Sequence, residues 1–208
     1  MNINNNFSKN KNHFKGVNPC NYITIHDTGN TSRGANALNH AKFINNGSSS
    51  TWHYTVDESN IVQHFPDSIQ CWHAGDGKGK GNTESIGIEM CINSDGNFSK
   101  TVDNTVELVL HLMNKHNIPI NRVVQHNKWT GKNCPNSLRN NRYDITWYDF
   151  ITKVKSKMGT EVKPEVKPDN NSNKLYRVQV GAFKNKENAV ELEKKLKKLG
   201  FSTYIKYD

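Results

Sequence analysis

The fold of this chain is constrained most by the way short apolar runs alternate with amphipathic segments before residue 158. Short runs rich in isoleucine, valine and tyrosine are typical of buried strands. The predicted strands are Tyr22–His26, Ile86–Ile92 and Val123–His126, with a hairpin formed by Trp52–Asp57 and Ile61–Phe65. Helical spacing of apolar residues predicts helices over Ala35–Asn46, 102–116 and Ile145–Lys157. The alternation predicts an α/β class, with a mixed central β-sheet flanked by helices.

Composition divides the chain into a body and a tail. Residues 159–173 repeat the motif Glu-Val-Lys-Pro and then become purely polar, so they lack the apolar side chains needed to build a core. We interpret them as a flexible linker between a body at 1–158 and a short unit at 174–208. This unit has the pattern of a strand from Tyr176, a helix over Glu187–Leu199 and a strand over Thr203–Tyr207, which predicts a small C-terminal β-α-β unit.

The positive charge is concentrated in the tail. Residues 1–150 carry 14 basic and 12 acidic side chains, whereas residues 151–208 carry 14 and 7. A basic tail on a nearly neutral body indicates attraction to a polyanion, either nucleic acid, anionic lipid or an acidic cell-wall polymer. A lysine-rich, solvated helix face is the competing interpretation. Few aromatic residues lie among the lysines of the tail, which disfavours a nucleic-acid partner.

Neither a membrane span nor a leader peptide is expected from the sequence. No segment approaches the ~20 apolar residues that a membrane-spanning helix needs. The first twenty residues lack the apolar centre of a secretory signal, so we expect synthesis in the cytoplasm and another route for any action outside the cell. The four cysteines show no paired spacing, which favours free thiols and one metal ligand over a disulfide framework.

Three distant residues form a candidate metal site. His26 and His126 each end a predicted strand, and Cys134 follows in the loop Lys132-Asn133-Cys134-Pro135. Two imidazoles and a thiolate are ligands that suit Zn²⁺. Three protein ligands leave a fourth position open for water, which is typical of hydrolytic zinc sites. If the two strand ends converge, the sequence predicts a zinc-dependent hydrolase.

Two charged residues are candidates for catalysis. Glu89 lies in the middle of an otherwise apolar strand, where a carboxylate is costly to bury without a partner or a task. Near a metal it could move a proton between a water and a leaving amine. Lys132 precedes Cys134 by two residues, so its ammonium could stabilise an oxyanion. The competing interpretations are a glutamate on the solvent face of an edge strand and an ordinary surface lysine.

The loop at 72–82 is predicted to lie beside the active site. It is rich in glycine, but it lacks the Gly-Lys-Ser/Thr ending of a phosphate-binding loop and is followed by a strand. We interpret it as an irregular functional loop. Three residues in or before it are predicted to contact substrate: Trp52, His53 and His73.

Three of these segments together resemble a known enzyme family. They are Tyr22–Thr28, Ser85–Glu89 and His126–Pro135, and they are similar to the type-2 zinc N-acetylmuramoyl-L-alanine amidases, in the branch of bacillus and clostridial phage endolysins and autolysins. The resemblance covers roughly residues 15–155. It implies His26, His126 and Cys134 as zinc ligands, Glu89 as catalytic acid and base, and Lys132 as oxyanion support. A related branch carries a catalytic tyrosine at the position of Trp52 and lacks the glutamate, so a tyrosine role does not transfer.

The tail unit is similar to the start of a SPOR domain, a family that binds the glycan strands of peptidoglycan. About half of such a domain is present, and so small a unit buries little core. Pairing with a second copy would complete a sheet, so a homodimer through the tail is a hypothesis that a strictly monomeric protein in ultracentrifugation would contradict.

The resemblance implies a zinc-dependent hydrolase that cleaves the amide bond between N-acetylmuramic acid and L-alanine in bacterial peptidoglycan, acting at the cell wall after release. Two alternatives remain open. One is a peptidoglycan-binding module without catalysis. The other is a cysteine-dependent peptidoglycan hydrolase that uses Cys134 as nucleophile and His126 as base.

Overall fold

The computed structural model describes residues 2–158, 179–198, 201 and 203–206. The chain separates into two compact units, one at 1–163 and the other at 164–208. The boundary between them falls inside the predicted linker at 159–173, which itself lies outside the described residues. In the part of the chain that the structure describes, no helix is both long and apolar enough to cross a bilayer.

A six-stranded mixed sheet forms the centre of the first unit. In spatial order its strands are β1 (Ile3–Asn5), β5 (Ile61–Gln63), β4 (Tyr54–Val56), β7 (Ser85–Met90), β3 (Tyr22–Asp27) and β8 (Val123–Gln125). All neighbours are parallel except β4 and β5, which form the predicted antiparallel hairpin. A separate pair, β2 (Phe14–Val17) and β6 (Ile69–Gln70), lies outside this sheet.

Helices cover both faces of the sheet. The longer ones are α1 (Ala37–Asn45), α3 (Phe98–His116) and α6 (Trp147–Met158), and the short ones are α2 (Lys80–Thr83), α4 (Asn127–Thr130) and α5 (Asn136–Arg139), with a 3-10 turn at Ile120–Arg122. Helix α3 packs on β4 and β7, whereas α1 packs on β4 and β5. In β5, Ile61 joins the core under α3 and its neighbour Val62 joins the one under α1, so the two helices lie on opposite faces.

The alternation of side chains along the central strands separates core from site. Ile23 and Ile25 of β3 lie in the large core with Ile86 and Ile88 of β7. The intervening positions, which include His26 and Glu89, therefore face the opposite side of the sheet. Because β3 and β7 are parallel and in register, these two polar residues are direct neighbours across the strands. The same alternation that buries the isoleucines thus collects the polar groups on one face.

The predicted elements of the body are present, with shifted ends. Helix α3 starts at Phe98 instead of 102, because the side chain of Asn97 caps it by accepting from the Lys100 N–H. The strands of the hairpin are shorter than predicted, at three residues each. Strands β1, β2 and β6 were not predicted, because their short polar or glycine-containing sequences carry no strand pattern.

The second unit contains the predicted helix and differs elsewhere in its described part. Helix α7 spans Lys186–Lys198, and the pairs Glu191–Lys195 and Glu193–Lys197 join successive turns. Strands were predicted on both sides of it, but residues 179–183 and 203–206 are not in strand conformation. Residues 176–178 and 207 lie outside the described residues. The tail dimer, which depends on strand pairing, stays a prediction.

A buried carboxylate ties the sheet to helix α3. Asp67 is 6% exposed, and its Oδ1 accepts from the Tyr54 hydroxyl at 2.6 Å and from Gln63 Nε2 at 3.1 Å. Its Oδ2 accepts from Lys115 Nζ at 2.7 Å and lies 2.8 Å from His116 Nε2. Burial by itself would raise the pKa of Asp67, but the hydrogen bonds from Lys115, Tyr54 and His116 lower it below its ordinary 3.8.

Replacing Asp67 by alanine is expected to lower the free energy of unfolding by about 3 kcal/mol at neutral pH, because buried donors lose their acceptor. Since folding lowers this pKa, the contribution is present above pH 3.8 and is lost as the pH falls through the folded-state value. Denaturant titrations at pH 7 and below pH 3 measure the difference. The control is Asp103→Ala, which removes an exposed ion pair with Lys153 and should cost less than about 1 kcal/mol. Equal losses for both variants would contradict the prediction.

Candidate metal centre and active site

The two candidate histidines are brought together by strand pairing. His26 lies near the carboxyl end of β3, and His126 directly follows β8. The two strands are parallel, with Ile25 opposite Gln125, so residues 26 and 126 extend the same register. The carboxyl ends of parallel strands meet at one edge of a sheet, which is where α/β folds commonly bind ligands.

The donor atoms of the three predicted ligands converge. Nδ1 of His26 lies 3.0 Å from Nδ1 of His126 and 3.8 Å from Sγ of Cys134. One donor atom from each residue lies within 4.8 Å of the others, and all three side chains are buried. This is the one group of at least three potential metal-binding side chains found among the described residues. All four cysteines are free and buried.

The chemistry of this set fits a zinc ion. Burial lowers the pKa of His26 and, more moderately, of His126, which favours the neutral imidazole that can act as a ligand. Burial raises the pKa of the Cys134 thiol to about 12, with a further contribution from Glu89. A buried divalent cation would offset this cost by stabilising the thiolate. Imidazole nitrogen and thiolate sulfur both bind zinc, and three protein ligands are the number that catalytic zinc sites use.

Glu89 lies beside the donor cluster. One of its carboxyl oxygens, Oε1, is 3.9 Å from His26 Nδ1, and its side chain is 15% exposed. The other oxygen, Oε2, is buried without a hydrogen-bond partner. Burial raises the pKa of Glu89 well above its usual 4.5, the charge of Asp27 adds to this rise, and the Lys132 ammonium opposes it. A partly buried carboxyl group with one unpaired oxygen and a raised pKa is suited to proton transfer.

Lys132 lies at the exposed rim of the cluster. Its positive charge adds to the lowering of the pKa of His26 and His126 by burial, and it opposes the rise of the pKa of Glu89 and Cys134 that burial causes. This is the electrostatic environment in which negative charge on a reacting oxygen would be stabilised.

Hydrogen bonds connect the loop that carries Cys134, and the helix after it, to residues adjacent to both ligand histidines. The Asn127 side chain donates to the carbonyl oxygens of Gly131 and Lys132, at 2.8 and 3.0 Å. Asp27, which follows His26, accepts from the Ser137 N–H at 2.7 Å through a buried carboxylate oxygen. Sequence reasoning did not single out Asp27, although its position directly after a strand-end histidine was an available signal.

A second set of hydrogen bonds near the ligands was also not predicted from the sequence. The guanidinium of Arg139 donates to the Gln125 side chain at 2.8 Å and to the Asn133 side chain at 2.9 Å. These two residues directly precede His126 and Cys134. No spacing in the sequence indicates this contact, because it depends on how α5 turns back toward β8.

The three residues predicted to contact substrate occupy different places. Trp52 is 7% exposed, and its Nε1 donates to Thr55 Oγ1 at 2.7 Å. His53 is fully buried: its Nδ1 accepts from the Gly87 N–H at 2.9 Å and its Nε2 lies 2.8 Å from the Ile69 carbonyl oxygen. Both ring nitrogens of His53 are therefore used inside the protein.

His73 also reaches the candidate site, on the side of His26 that faces away from the other two predicted ligands. Its Nδ1 lies 3.0 Å from His26 Nε2, the nitrogen that points away from Cys134 and His126. The loop at 72–82 thus borders the site, as predicted, and its last residues form the start of the short helix α2.

Comparison with known proteins places the body of the chain in a family. The family model described as N-acetylmuramoyl-L-alanine amidase matches residues 16–137, and a SPOR domain model matches residues 150–208, starting within α6. The N-acetylmuramoyl-L-alanine amidase CwlH of Bacillus subtilis (strain 168) is 50% identical over 137 residues, which cover 65% of this chain and 53% of CwlH. XlyA, an N-acetylmuramoyl-L-alanine amidase of the same strain, is 48% identical over 130 residues, or 62% of this chain and 42% of XlyA.

The fold has solved counterparts. The structure of the catalytic domain of XlyA is similar with a TM-score of 0.69 and 42% identity, covering 74% of this chain and 99% of that domain. The chain spans about half the length of the curated relatives it matches. Because the amidase model matches more than half of the 208 residues and the resemblance noted from the motifs is confirmed, the chain belongs to the N-acetylmuramoyl-L-alanine amidase family.

Proposed function

We propose that this protein is a zinc-dependent hydrolase that cleaves the amide bond between N-acetylmuramic acid and L-alanine in bacterial peptidoglycan, with the cell wall as its place of action. The observation that carries the proposal is the buried convergence of His26, His126 and Cys134 beside the carboxyl group of Glu89. Three nitrogen and sulfur ligands leave one position open, which is typical of catalytic zinc. Membership of the family supports the choice of bond.

Each residue of the site has a chemical role in this proposal. Zn²⁺ held by the three ligands would polarise the scissile carbonyl and make a water molecule more acidic. Glu89 takes a proton from the attacking water and returns it to the departing nitrogen of alanine. Burial raises its pKa well above the usual 4.5, which favours a carboxyl group that can take up a proton and return it. Lys132 stabilises the negative charge that develops on the carbonyl oxygen.

Neither of the two alternative functions gives Glu89 a chemical role. A cysteine hydrolase would use Cys134 as nucleophile and His126 as base, and a binding module needs no proton carrier. Glu89 is partly buried, and its Oε2 is buried without a hydrogen-bond partner, which costs folding stability that neither alternative explains.

The reaction is tested by digesting purified peptidoglycan with the full chain and analysing the products by mass spectrometry. The expected products have free L-alanine amino termini and intact glycan strands. New reducing sugar ends alone, or cuts only within the stem peptide, would refute the proposed bond. If peptidoglycan is bound but never hydrolysed, the protein is a binding module.

We further propose that the tail holds the enzyme on anionic cell-wall polymers. The SPOR match supports contact with the wall, and the described helix Lys186–Lys198 carries five lysines and three glutamates. Lysis of whole walls is expected to weaken as salt rises to about 0.3 M, since the screening length then falls well below its value of about 10 Å at 0.1 M. Turbidity assays measure this effect. A chain that ends at residue 163 should lose the salt dependence, and an equal salt effect on both chains would contradict the proposal.

A further inference from the structure

The nitrogen of His26 that points away from the metal site has a side-chain partner. Nδ1 of His26 faces His126 and Cys134, whereas Nε2 lies 3.0 Å from Nδ1 of His73. The rings of His26 and His73 meet edge to face, at an interplanar angle of 85°. A neutral imidazole that ligates through Nδ1 carries its proton on Nε2 and requires an acceptor there. His73 Nδ1 is in the position of that acceptor.

The backbone around His73 is fixed by a fully buried side chain. Asn82 Oδ1 accepts from the His73 N–H at 2.8 Å and from the Ala74 N–H at 2.7 Å. The amide nitrogen of Asn82 donates to the Gly77 carbonyl at 2.9 Å, which closes the loop on itself. Hydrogen bonds made by the one side chain of Asn82 therefore fix the backbone of the segment that carries His73.

The sheet makes room for the His73 ring at one position. A Cβ built on Gly87 of strand β7 would lie 2.7 to 2.9 Å from three atoms of this ring, closer than side chains approach one another. With any other residue at 87, the His73 ring would have to shift from its present position. The absence of a side chain at this strand position and the fixed loop together set the distance between the two rings.

The same segment also lies behind the second ligand histidine. A Cβ built on Gly75 would lie 3.8 Å from His126 Nε2, so the backbone there borders the outer side of that ring. Gly75 has a φ of 70°, in the left-handed region that favours glycine. The turn at residues 73–75 thus lies next to the Nε2 atoms of both His26 and His126, whose Nδ1 atoms converge on the other side.

We propose that His73 is a positioning residue for the metal centre, one that acts through His26 rather than on the substrate. By accepting the Nε2–H of His26, it selects the tautomer that presents Nδ1 to the metal and holds the ring in the ligating orientation. Partners of this kind typically change metal affinity by about 10- to 100-fold. The inference rests on the proposed function only in taking Nδ1 of His26 as a zinc ligand.

The test compares two substitutions that differ in one property. His73→Phe keeps a planar ring but offers no acceptor, whereas His73→Asn offers an oxygen close to the place of Nδ1. The dissociation constant for Zn²⁺ is measured on the full chain by competition with a chromophoric chelator. We expect about 10- to 100-fold weaker binding for His73→Phe and a change of only a few-fold for His73→Asn. His111→Phe, which replaces an exposed histidine of α3, is the control and should bind zinc like the unmodified chain.

A merely structural role for His73 would give a different result. It would lower the melting temperature of the metal-free protein for both variants and leave the zinc dissociation constant unchanged, which would overturn the proposal. Equal weakening of zinc binding by His73→Phe and His73→Asn would also overturn it. If His73→Phe does not fold, His73→Ala takes its place in the same comparison. The readout does not need hydrolysis, so zinc binding without amidase activity would refute the proposed function and still decide the role of His73.

Discussion

Removing the metal from the His26–His126–Cys134 cluster is expected to lower peptidoglycan hydrolysis by at least about 1,000-fold, because a Lewis acid contributes several kcal/mol to stabilising the transition state. Added Zn²⁺ should restore the activity. Turbidity and product assays before and after dialysis against a chelator measure both effects. Activity that persists in the chelator and is abolished by thiol alkylation would instead establish a cysteine hydrolase.

The ligand itself can be tested with a matched pair of cysteine substitutions. Cys134→Ala should abolish zinc binding and hydrolysis. Cys71→Ala removes another buried sulfur, which lies in the core near Trp52, and should leave zinc binding unchanged. Both variants lose packing, so melting of the metal-free proteins reports the structural cost of each. The zinc content of each variant, measured by mass spectrometry, then reports metal binding separately from stability. Equal zinc content in the two variants would refute the assignment of Cys134.

The electrostatics of the site already weigh against a thiolate nucleophile. An active cysteine of this type requires a thiolate next to a protonated imidazole, and such thiols have lowered pKa values. Here burial raises the pKa of Cys134 to about 12, and burial also lowers the pKa of His126. Both shifts disfavour the ion pair, and both are compatible with a neutral histidine and a thiol that is deprotonated by a cation.

The sequence predicts those parts of the fold and the site that depend on local pattern. Apolar runs that end in His26 and His126 predict two strands, and parallel strands end at the same edge, so their meeting follows from the pattern. Glu89 stands out because a carboxyl group interrupts an apolar strand, and the structure places it opposite His26. The role of each residue stays a prediction, but the proximity is a geometric consequence of strand register.

The features that the sequence does not predict depend on contacts between distant segments. His73 reaches His26 only because Asn82 folds the loop and Gly87 leaves space. His53 has the same local context, a histidine after a tryptophan, but its ring nitrogens are taken by backbone groups of other strands. Two identical dipeptides therefore place their histidines in different surroundings, and no pattern along the chain distinguishes them.

Replacing Glu89 by glutamine is expected to lower kcat by about 100- to 10,000-fold while leaving zinc content unchanged, because glutamine has the same shape but cannot take or return a proton. Steady-state kinetics on a soluble muramoyl-peptide measure the loss. The control is Glu84→Gln, one residue before β7, where a side-chain oxygen accepts from the Asn21 side chain at 3.0 Å. Unchanged kcat in Glu89→Gln would refute the assignment of Glu89 as acid and base.

The same substitution should make the metal-free protein more stable, which separates a catalytic role from a structural one. Burial raises the pKa of Glu89, so the unfolded chain ionises first and stability is lost as the pH rises above the ordinary value of 4.5. Glutamine has no such dependence, so the melting temperature of Glu89→Gln should exceed that of the unmodified chain at pH 7 and approach it near pH 4. A lower melting temperature at pH 7 would mean that Glu89 supports the fold, and a loss of activity would then say little about proton transfer. Lost activity with gained stability is what a carboxyl group retained for catalysis at a cost to folding must produce.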